Sequence, residues 1–362
     1  MSSTVESVSQ PSQASIQPLA KFGCIKTLAE KPGLSSIPPT YTFTKNPDPI
    51  SDPEESLPVV DFSLLSGNPD EHNKVIYQLG KACQEYGFFM VVNHGVPESL
   101  VKAMISSCEM FFDLTEEEKR EYEGKDVMDP IRCGTSFNTS VEKVLFWRDY
   151  LKLFIRPEFH SVDKPAGFRE LLLEYSKRIG EMGMELLKGI TESLGLEACY
   201  IEKALNMENS FHILVANLYP RCPQPERAMG MPPHSDFGLL TLLTQNGVGG
   251  LQLLHNDKWI NVNPIPNSFV INIGDHLEIL SNGKYKSVLH RAVVNNAATR
   301  LSLAVGIGPP LDAVVSPAPD LTDAESNPPA YIGMKYCEYI RLQQTNQLKG
   351  KSCLDKIRIP KI

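Results

Sequence analysis

Nowhere in its 362 residues does the chain hold an apolar run of about 18 residues, so no membrane-spanning helix is expected. Positive charge is in deficit: 35 Lys and Arg stand against 43 Asp and Glu, a net charge of −8. No basic stripe with interleaved aromatics occurs either, which argues against nucleic acid as a partner. Cys-x-x-Cys pairs are missing. Cys24, Cys83, Cys108, Cys133, Cys199, Cys222, Cys337 and Cys353 are scattered, which excludes a disulfide framework and zinc spacing and fits a reducing compartment. The N-terminus lacks an apolar signal core. Its Ser-rich opening, Met1 to Ser15, is loosely like a plastid transit peptide, but Glu6 and the lack of Arg weaken that likeness and leave the cytoplasm as the expected location. No repeat at solenoid spacing occurs.

What is present is an ordinary apolar fraction, 42%, in a chain long enough to bury a sizeable core. Residues 1–20 are rich in Ser and Gln and are expected to be disordered. Repeated prolines over 37–58 read as an extended arm. Helical spacing over 73–86 (Val75, Ile76, Leu79, Ala82) stops before Gly87, and 88–92 reads as a short buried strand. Thr115 and Glu118 form a capping box. The longest helical pattern covers 170–194, with Met182, Met184, Leu186 and Leu187 as core candidates. After Phe211 the period changes. Short apolar runs at 239–243, 251–254, 259–262, 269–273, 286–294 and 300–305, broken by Gly, Pro and Asn, have the rhythm of a jelly roll. The tail over 331–348 reads as helix. The expected fold is mixed α and β: a double-stranded β-helix (jelly-roll) core with a helical N-terminal half and a C-terminal helix. Four regions are expected: a disordered or extended arm (1–56), a helical region (57–208), the jelly-roll catalytic domain (209–315) and a helical tail (316–362). A monomer is the expected state.

The most informative residues are His234-Ser235-Asp236, then His290, then Arg300-Leu301-Ser302. Residues i and i+2 of an extended strand share a face, so His234 and Asp236 can reach one ion. His290 lies in a β-branched stretch after the turn signal Asn282-Gly283. A short loop, Asn295 to Thr299, would let the strand carrying Arg300 return beside it. Two histidines and one carboxylate on three adjacent positions of an octahedral metal are the ligand set of non-heme Fe(II) oxygenases. Arg300 and Ser302, again i and i+2, can grip a carboxylate through a guanidinium fork and a hydroxyl. A lone His-x-Asp usually marks a surface turn, and Arg-x-Ser alone is weaker still; their order, spacing and strand context carry the reading.

The chain resembles the plant 2-oxoglutarate- and Fe(II)-dependent dioxygenases, the group containing flavanone 3-hydroxylase, anthocyanidin synthase, flavonol synthase and the salicylate hydroxylases. The likeness runs from about Leu57 to the C-terminus. It includes Leu57-Pro58-Val59-Val60-Asp61, Tyr86-Gly87-Phe88-Phe89, Trp147-Arg148-Asp149-Tyr150, Asn217-Leu218-Tyr219-Pro220-Arg221-Cys222-Pro223 and Phe269-Val270-Ile271-Asn272-Ile273-Gly274-Asp275. The resemblance implies that His234, Asp236 and His290 hold the iron. It implies that Arg300, Ser302 and the Tyr219 hydroxyl hold the distal carboxylate of 2-oxoglutarate, with Asn217 near its keto-acid end. Leu218 and Arg221 depart from the family's Tyr and Pro, but Asn217 and Tyr219 remain. The implied reaction uses O2 and converts 2-oxoglutarate to succinate and CO2, with ascorbate as the expected reductant. Hydroxylation, desaturation and O-demethylation of a small-molecule substrate all remain open.

The same resemblance puts the substrate wall at Phe137, Val215, Phe237, Gly306 and Gly308. Anthocyanidin synthase-like members carry an aromatic and a carboxylate at the two glycine positions, and a Lys at that of Val215. The pocket is therefore expected to be apolar and roomy, with few charged groups, suiting a flavonoid, phenolic, alkaloid or terpenoid. The plainer reading of the two glycines is a loop closing before Pro309-Pro310. A hormone-directed oxidase acting on gibberellin, auxin or salicylate is an alternative, but no spare Arg or Lys is evident near Val215 or Gly306 to meet a carboxylate. A jelly-roll protein that binds metal without turnover is a third, opposed by Arg300, Ser302 and Tyr219. No Glu accompanies His234 as a zinc hydrolase would need. His94, His276 and Asp275 read as loop-fixing residues, and Trp147 with Tyr150 as packing under the pocket.

Overall fold

The computed structural model describes residues 23–43 and 56–360. In chain order its elements begin with α1 (Ile25–Ala29), β1 (Val59–Asp61), α2 (Pro69–Glu85), β2 (Phe88–Val92), α3 (Glu98–Asp113) and α4 (Glu116–Arg120). They continue with β3 (Ile131–Thr135), β4 (Asp149–Arg156), α5 (Phe168–Ser193), α6 (Tyr200–Ala204), β5 (Phe211–Tyr219), β6 (Met231–His234) and β7 (Leu240–Gln245). After β8 (Leu251–His255), β9 (Lys258–Asn261), β10 (Phe269–Ile273) and α7 (Asp275–Leu280) come β11 (His290–Ala292) and β12 (Arg300–Gly308). The chain closes with β13 (Val314–Val315), β14 (Met334–Lys335), α8 (Tyr336–Thr345) and α9 (Ser352–Ile357).

Two sheets face each other. The larger has eight strands in the order β1-β2-β10-β7-β12-β5-β4-β3, and the smaller has four, β6-β11-β8-β9. This is the jelly roll expected from the broken apolar runs. The region 57–208, expected to be helical, also gives β1–β4 to the larger sheet. β11 and β12 do not pair, as the short loop between them had implied. They lie in different sheets, and the loop crosses the roll.

Helix α5 backs the larger sheet. Its buried residues Leu172, Tyr175, Ile179, Met182, Leu186 and Ile190 recur every three or four positions and form one apolar stripe. That stripe packs on β7 and β12. Contact is close at Gly183, where a Cβ would run into Ile307 Cδ1. Burying each Leu or Ile of the stripe contributes about 1.5–3 kcal/mol. Helix starts follow local chemistry: Asn68 and Glu71 close a capping box on α2, and Thr115 and Glu118 close one on α4. Among the described residues, no helix is long and apolar enough to cross a membrane.

The arm expected over 1–56 needs correction in its described part. Residues 23–43 are docked on the roll, with Ile25 and Tyr41 fully buried and Tyr41 edge-on to Trp147 at 5.5 Å. The cause is Asp149. Its carboxylate accepts from the backbone N–H groups of Ile25 (2.9 Å) and Lys26 (2.8 Å), from Cys24 Sγ and from Thr135 Oγ1. A remote side chain thus satisfies the orphan donors of the first turn of α1. The disorder expected for residues 1–20 falls outside the described residues.

Strand β6 is an edge strand of the smaller sheet. It contains Pro232 and Pro233, and Gly350 of the C-terminal segment donates its N–H to the Pro233 carbonyl at 3.1 Å.

Candidate metal and co-substrate site

Strand alternation sends every second side chain of the larger sheet into the roll. Tyr150, Asn217, Ser302 and Gln245 lie side by side across β4, β5, β12 and β7. Lys152, Val215, Ala304 and Leu243 form the next inward row. Phe154, Ile213, Gly306 and Thr241 form the one after, which continues to Asn272 on β10. From the smaller sheet, His234 at the end of β6 and His290 at the start of β11 are direct cross-strand neighbours.

His234 Nε2 and His290 Nε2 lie 3.8 and 3.6 Å from Asp236 Oδ1. The three side chains each bring a ligand atom to within 4.8 Å of the other two. Nδ1 of His234 donates to the Pro232 carbonyl (2.8 Å) and that of His290 to the Val288 carbonyl (3.2 Å). These bonds fix the tautomer that leaves each Nε2 lone pair free for a metal. Asp236 lies past the end of β6 rather than on a strand with His234. It is aimed instead by Thr241 Oγ1 (2.7 Å) and Asn272 Nδ2 (2.9 Å), which both donate to its Oδ2.

Burial, then the neighbouring His290, pushes His234 down to about 3, so its imidazole is neutral at pH 7. Burial raises the Asp236 carboxyl, but His290, His234 and the Asn272 and Thr241 hydrogen bonds together hold it below the usual carboxylate range. Two imidazoles and a carboxylate gathered on one side of a point fit a divalent transition metal with its opposite positions open, the Fe(II) arrangement.

Arg300 is 2% exposed. Its Nε donates to Gln245 Oε1 at 2.9 Å and its guanidinium lies 5.1 Å over the Tyr219 ring, but its Nη2 has no partner. Asn217 Oδ1, also buried, has none. Leaving such groups unpaired costs about 1–3 kcal/mol each, more for a charged one. A carboxylate set against the guanidinium would fill the gap with bidentate bonds. Arg300, Ser302, Tyr219 and Asn217 line the same cavity as the metal trio, so the donors present fit a keto dicarboxylate beside the iron.

Comparison with known proteins agrees. Residues 210–309 match the model of the 2OG-Fe(II) oxygenase superfamily, and 57–171 match that of the non-haem dioxygenase in morphine synthesis N-terminal. The chain is 47% identical over 314 residues to 2-oxoglutarate-dependent dioxygenase 19 of Oryza sativa subsp. japonica, covering 86% of this chain and 93% of that one. This chain belongs to the 2-oxoglutarate- and Fe(II)-dependent oxygenases. It is also 41% identical to flavanone 3-dioxygenase 2 of the same organism, over 83% of this chain and 87% of that one. Among solved structures, JOX2 in complex with 2OG, Fe and JA superposes with a TM-score of 0.84 at 33% identity, covering 94% of this chain and 98% of that one.

Within this oxygenase, Phe137, Val215, Phe237 and Gly306 line the same cavity as the metal trio. Gly308 does not. The Tyr336 side chain from α8 occupies the space a Cβ there would need, so the C-terminal helix covers that position. The expectation of few charged groups is also corrected. Arg148 and Lys152 face the cavity, and Lys152 pairs in register with Val215 itself. Lys152 gives no apolar signal because its charge breaks the alternation of β4, and Arg148 stands in the Trp147-Arg148-Asp149-Tyr150 motif, in which Trp147 and Tyr150 read as packing. Thr241, Gln245, Gln343 and Gln344 carry no sequence signal of their own, whereas Asn272 lies within the Phe269–Asp275 motif. Gln343 Nε2 donates to the Ser235 carbonyl at 2.9 Å, tying α8 to the metal-bearing turn.

Proposed function

We propose that His234, Asp236 and His290 hold Fe(II), that Arg300, Ser302 and Tyr219 bind the distal carboxylate of 2-oxoglutarate, and that Asn217 stands beside its keto-acid end. The reaction we assign is oxidation, with hydroxylation as its first outcome, of a small plant specialised metabolite with a flat apolar body. One observation carries the reading: the buried Arg300, whose Nη2 has no partner, lines the cavity that holds the metal trio. When bound, Fe(II) with 2-oxoglutarate and O2 supplies the oxidising chemistry, the co-substrate leaving as succinate and CO2 while the substrate loses hydrogen.

The chain's own residues place and seclude the reactants. Thr241 and Asn272 hold Asp236 at one angle, Gln245 holds Arg300, and the two backbone carbonyls hold the histidine rings. Phe137, Ile213, Val215, Phe237, Leu243 and Leu251 give the cavity an apolar lining that excludes water and accepts a planar ring system. Similarity to a flavanone dioxygenase supports that substrate class. Desaturation or O-demethylation follows from a different pose over the same site. The reading includes a monomer working in the cytosol with ascorbate as reductant, and eight free thiols support a reducing compartment.

The test is succinate release by anaerobically iron-loaded protein given 2-oxoglutarate, ascorbate and air, across flavonoids, simple phenolics, alkaloids and diterpenoids. Product masses are read in parallel. The expected result is substrate-stimulated succinate with a gain of one oxygen, or loss of two hydrogens or of CH2. Arg300→Gln is expected to raise the 2-oxoglutarate requirement at least tenfold while iron stays bound. Normal turnover of that variant at low co-substrate would remove Arg300 from the assignment.

A further inference from the structure

The cavity wall is unbalanced in charge. Asp236 is its sole carboxylate among the lining residues, against Arg148, Lys152, Arg291 and Arg300. Arg291 is engaged elsewhere, donating to Gln252 Oε1 at 2.7 Å and stacking over Trp259 at 4.0 Å. A divalent iron, the Asp236 carboxylate, the co-substrate dianion and Arg300 cancel one another. Arg148 and Lys152 are left over, both buried, at 4% and 8% exposure.

Arg148 lies toward the co-substrate end, beside the Met231 sulfur and 4.9 Å over the Tyr150 ring. Lys152 lies farther out. It is two residues beyond Tyr150 on β4, in the row of Val215, Ala304 and Leu243, three apolar neighbours that offer its ammonium no acceptor. Its cross-strand neighbour on the other side is another cation, Arg132. Among the described residues its ammonium donates to a neutral acceptor, Gln344 Oε1 of α8, at 2.5 Å. Leu243 and Lys152 are three strand spacings apart, about 14 Å between backbones, so Lys152 stands on the opposite side of the sheet's inward face from β7, whose Thr241 holds Asp236. Phe137, Arg148, Lys152 and Gln344 also line an adjoining cavity, so Lys152 stands on the wall the two cavities share.

We infer that Lys152, with Gln344 beside it, is an anion-recognition subsite, and that the substrate is a small organic acid. Its carboxylate sits on the Lys152 ammonium and its apolar body extends over Val215 and Ala304 toward the iron. This inference rests on the oxygenase reading above and narrows its substrate class. Burial, with Arg132 and Arg148 nearby, pushes Lys152 well below the ordinary lysine range. An arriving carboxylate supplies the missing counter-ion and returns the full charge to the ammonium. A wall built to pair a buried charge rejects neutral isosteres more strongly than an apolar wall rejects a missing methylene.

The test is anaerobic calorimetry on the full chain loaded with Fe(II) and 2-oxoglutarate. The probes are benzoate, cinnamate and cyclohexanecarboxylate, each set against its own carboxamide. The acids are expected to bind at least tenfold more tightly than the amides. Lys152→Gln is expected to abolish that preference while leaving 2-oxoglutarate affinity unchanged, and Lys152→Arg to retain it. No acid preference in the native protein, whether all probes bind or none do, would overturn the inference. So would a preference that survives Lys152→Gln, one that disappears only in Arg148→Gln, or a Lys152→Gln variant that merely unfolds at lower temperature, the mark of a brace for α8. Succinate release is followed separately. Acid preference without succinate from any probe removes those acids as substrates and leaves the subsite, and succinate without acid preference keeps the oxidation and removes the subsite.

Discussion

Thr241→Val tests whether the aim of Asp236, rather than its mere presence, sets metal affinity. Valine keeps the β-branched shape on β7 and removes only the hydroxyl. The hydroxyl donates to Asp236 Oδ2 at 2.7 Å from a position 8% exposed, so water does not readily replace it. A hydrogen bond to a charged group contributes about 1.5–3 kcal/mol, which corresponds to about a 10–100-fold change in affinity. That matches the usual effect of removing a residue that orients a metal ligand. Asn272 still donates to the same oxygen, so the lower end, about tenfold, is expected. The assay is anaerobic titration with Co(II), followed by its visible absorption, with Fe(II) competing. Metal-free Thr241→Val is expected to fold, with a loss of about 1 kcal/mol of stability, since Asn272 still donates to the same carboxylate. Adding Asn272→Leu frees the carboxylate to rotate and is expected to weaken binding by more than the two single changes combined. A Thr241→Val affinity within twofold of native would refute the reasoning, because Asp236 would then be held by something other than these two donors.

Asp149→Ala leaves the first N–H groups of α1 and the Thr135 hydroxyl without their buried acceptor. A loss of about 3 kcal/mol is expected, read as a lower urea midpoint with faster proteolysis near Ile25; an unchanged midpoint would show that α1 docks by apolar contact alone. Burial pushes His212 and His276 down to about 3 and about 4. A histidine in the unfolded chain titrates near 6.5, so the unfolded state binds more protons below that pH. Stability is therefore full above about pH 6.5 and falls as pH drops toward the folded values, by about 2 kcal/mol per histidine at about pH 5. Urea midpoints at the two pH values check this, and a flat profile in the native protein would contradict it.

The metal trio was legible in the sequence because ligand identity and order survive without coordinates. β10 was legible too, since its apolar run needs no partner to be recognised, and the stripe on α5 repeats within one element. Three things were not. The β3–β4 hairpin carries Arg132 and Lys152, charges that break an apolar alternation although both strands belong to the sheet. The docking of α1 depends on Asp149, more than 120 residues away in the chain, and no local pattern announces such a cap. The loop 295–299 is long enough either to turn a hairpin or to cross between sheets, and only packing decides which. Gly308 failed for the same reason: the helix that covers it arrives late in the chain.

The rim position of β6 bears on how the protein behaves before it is loaded with metal. An open strand edge is an invitation to other chains, and a metal-free protein crowded at synthesis concentrations would be the form most exposed to that hazard. Here two successive residues have no N–H to offer, and the C-terminal segment already takes the Pro233 carbonyl. The strand that presents His234 therefore stays at the edge of its sheet yet makes a poor template for a growing fibril.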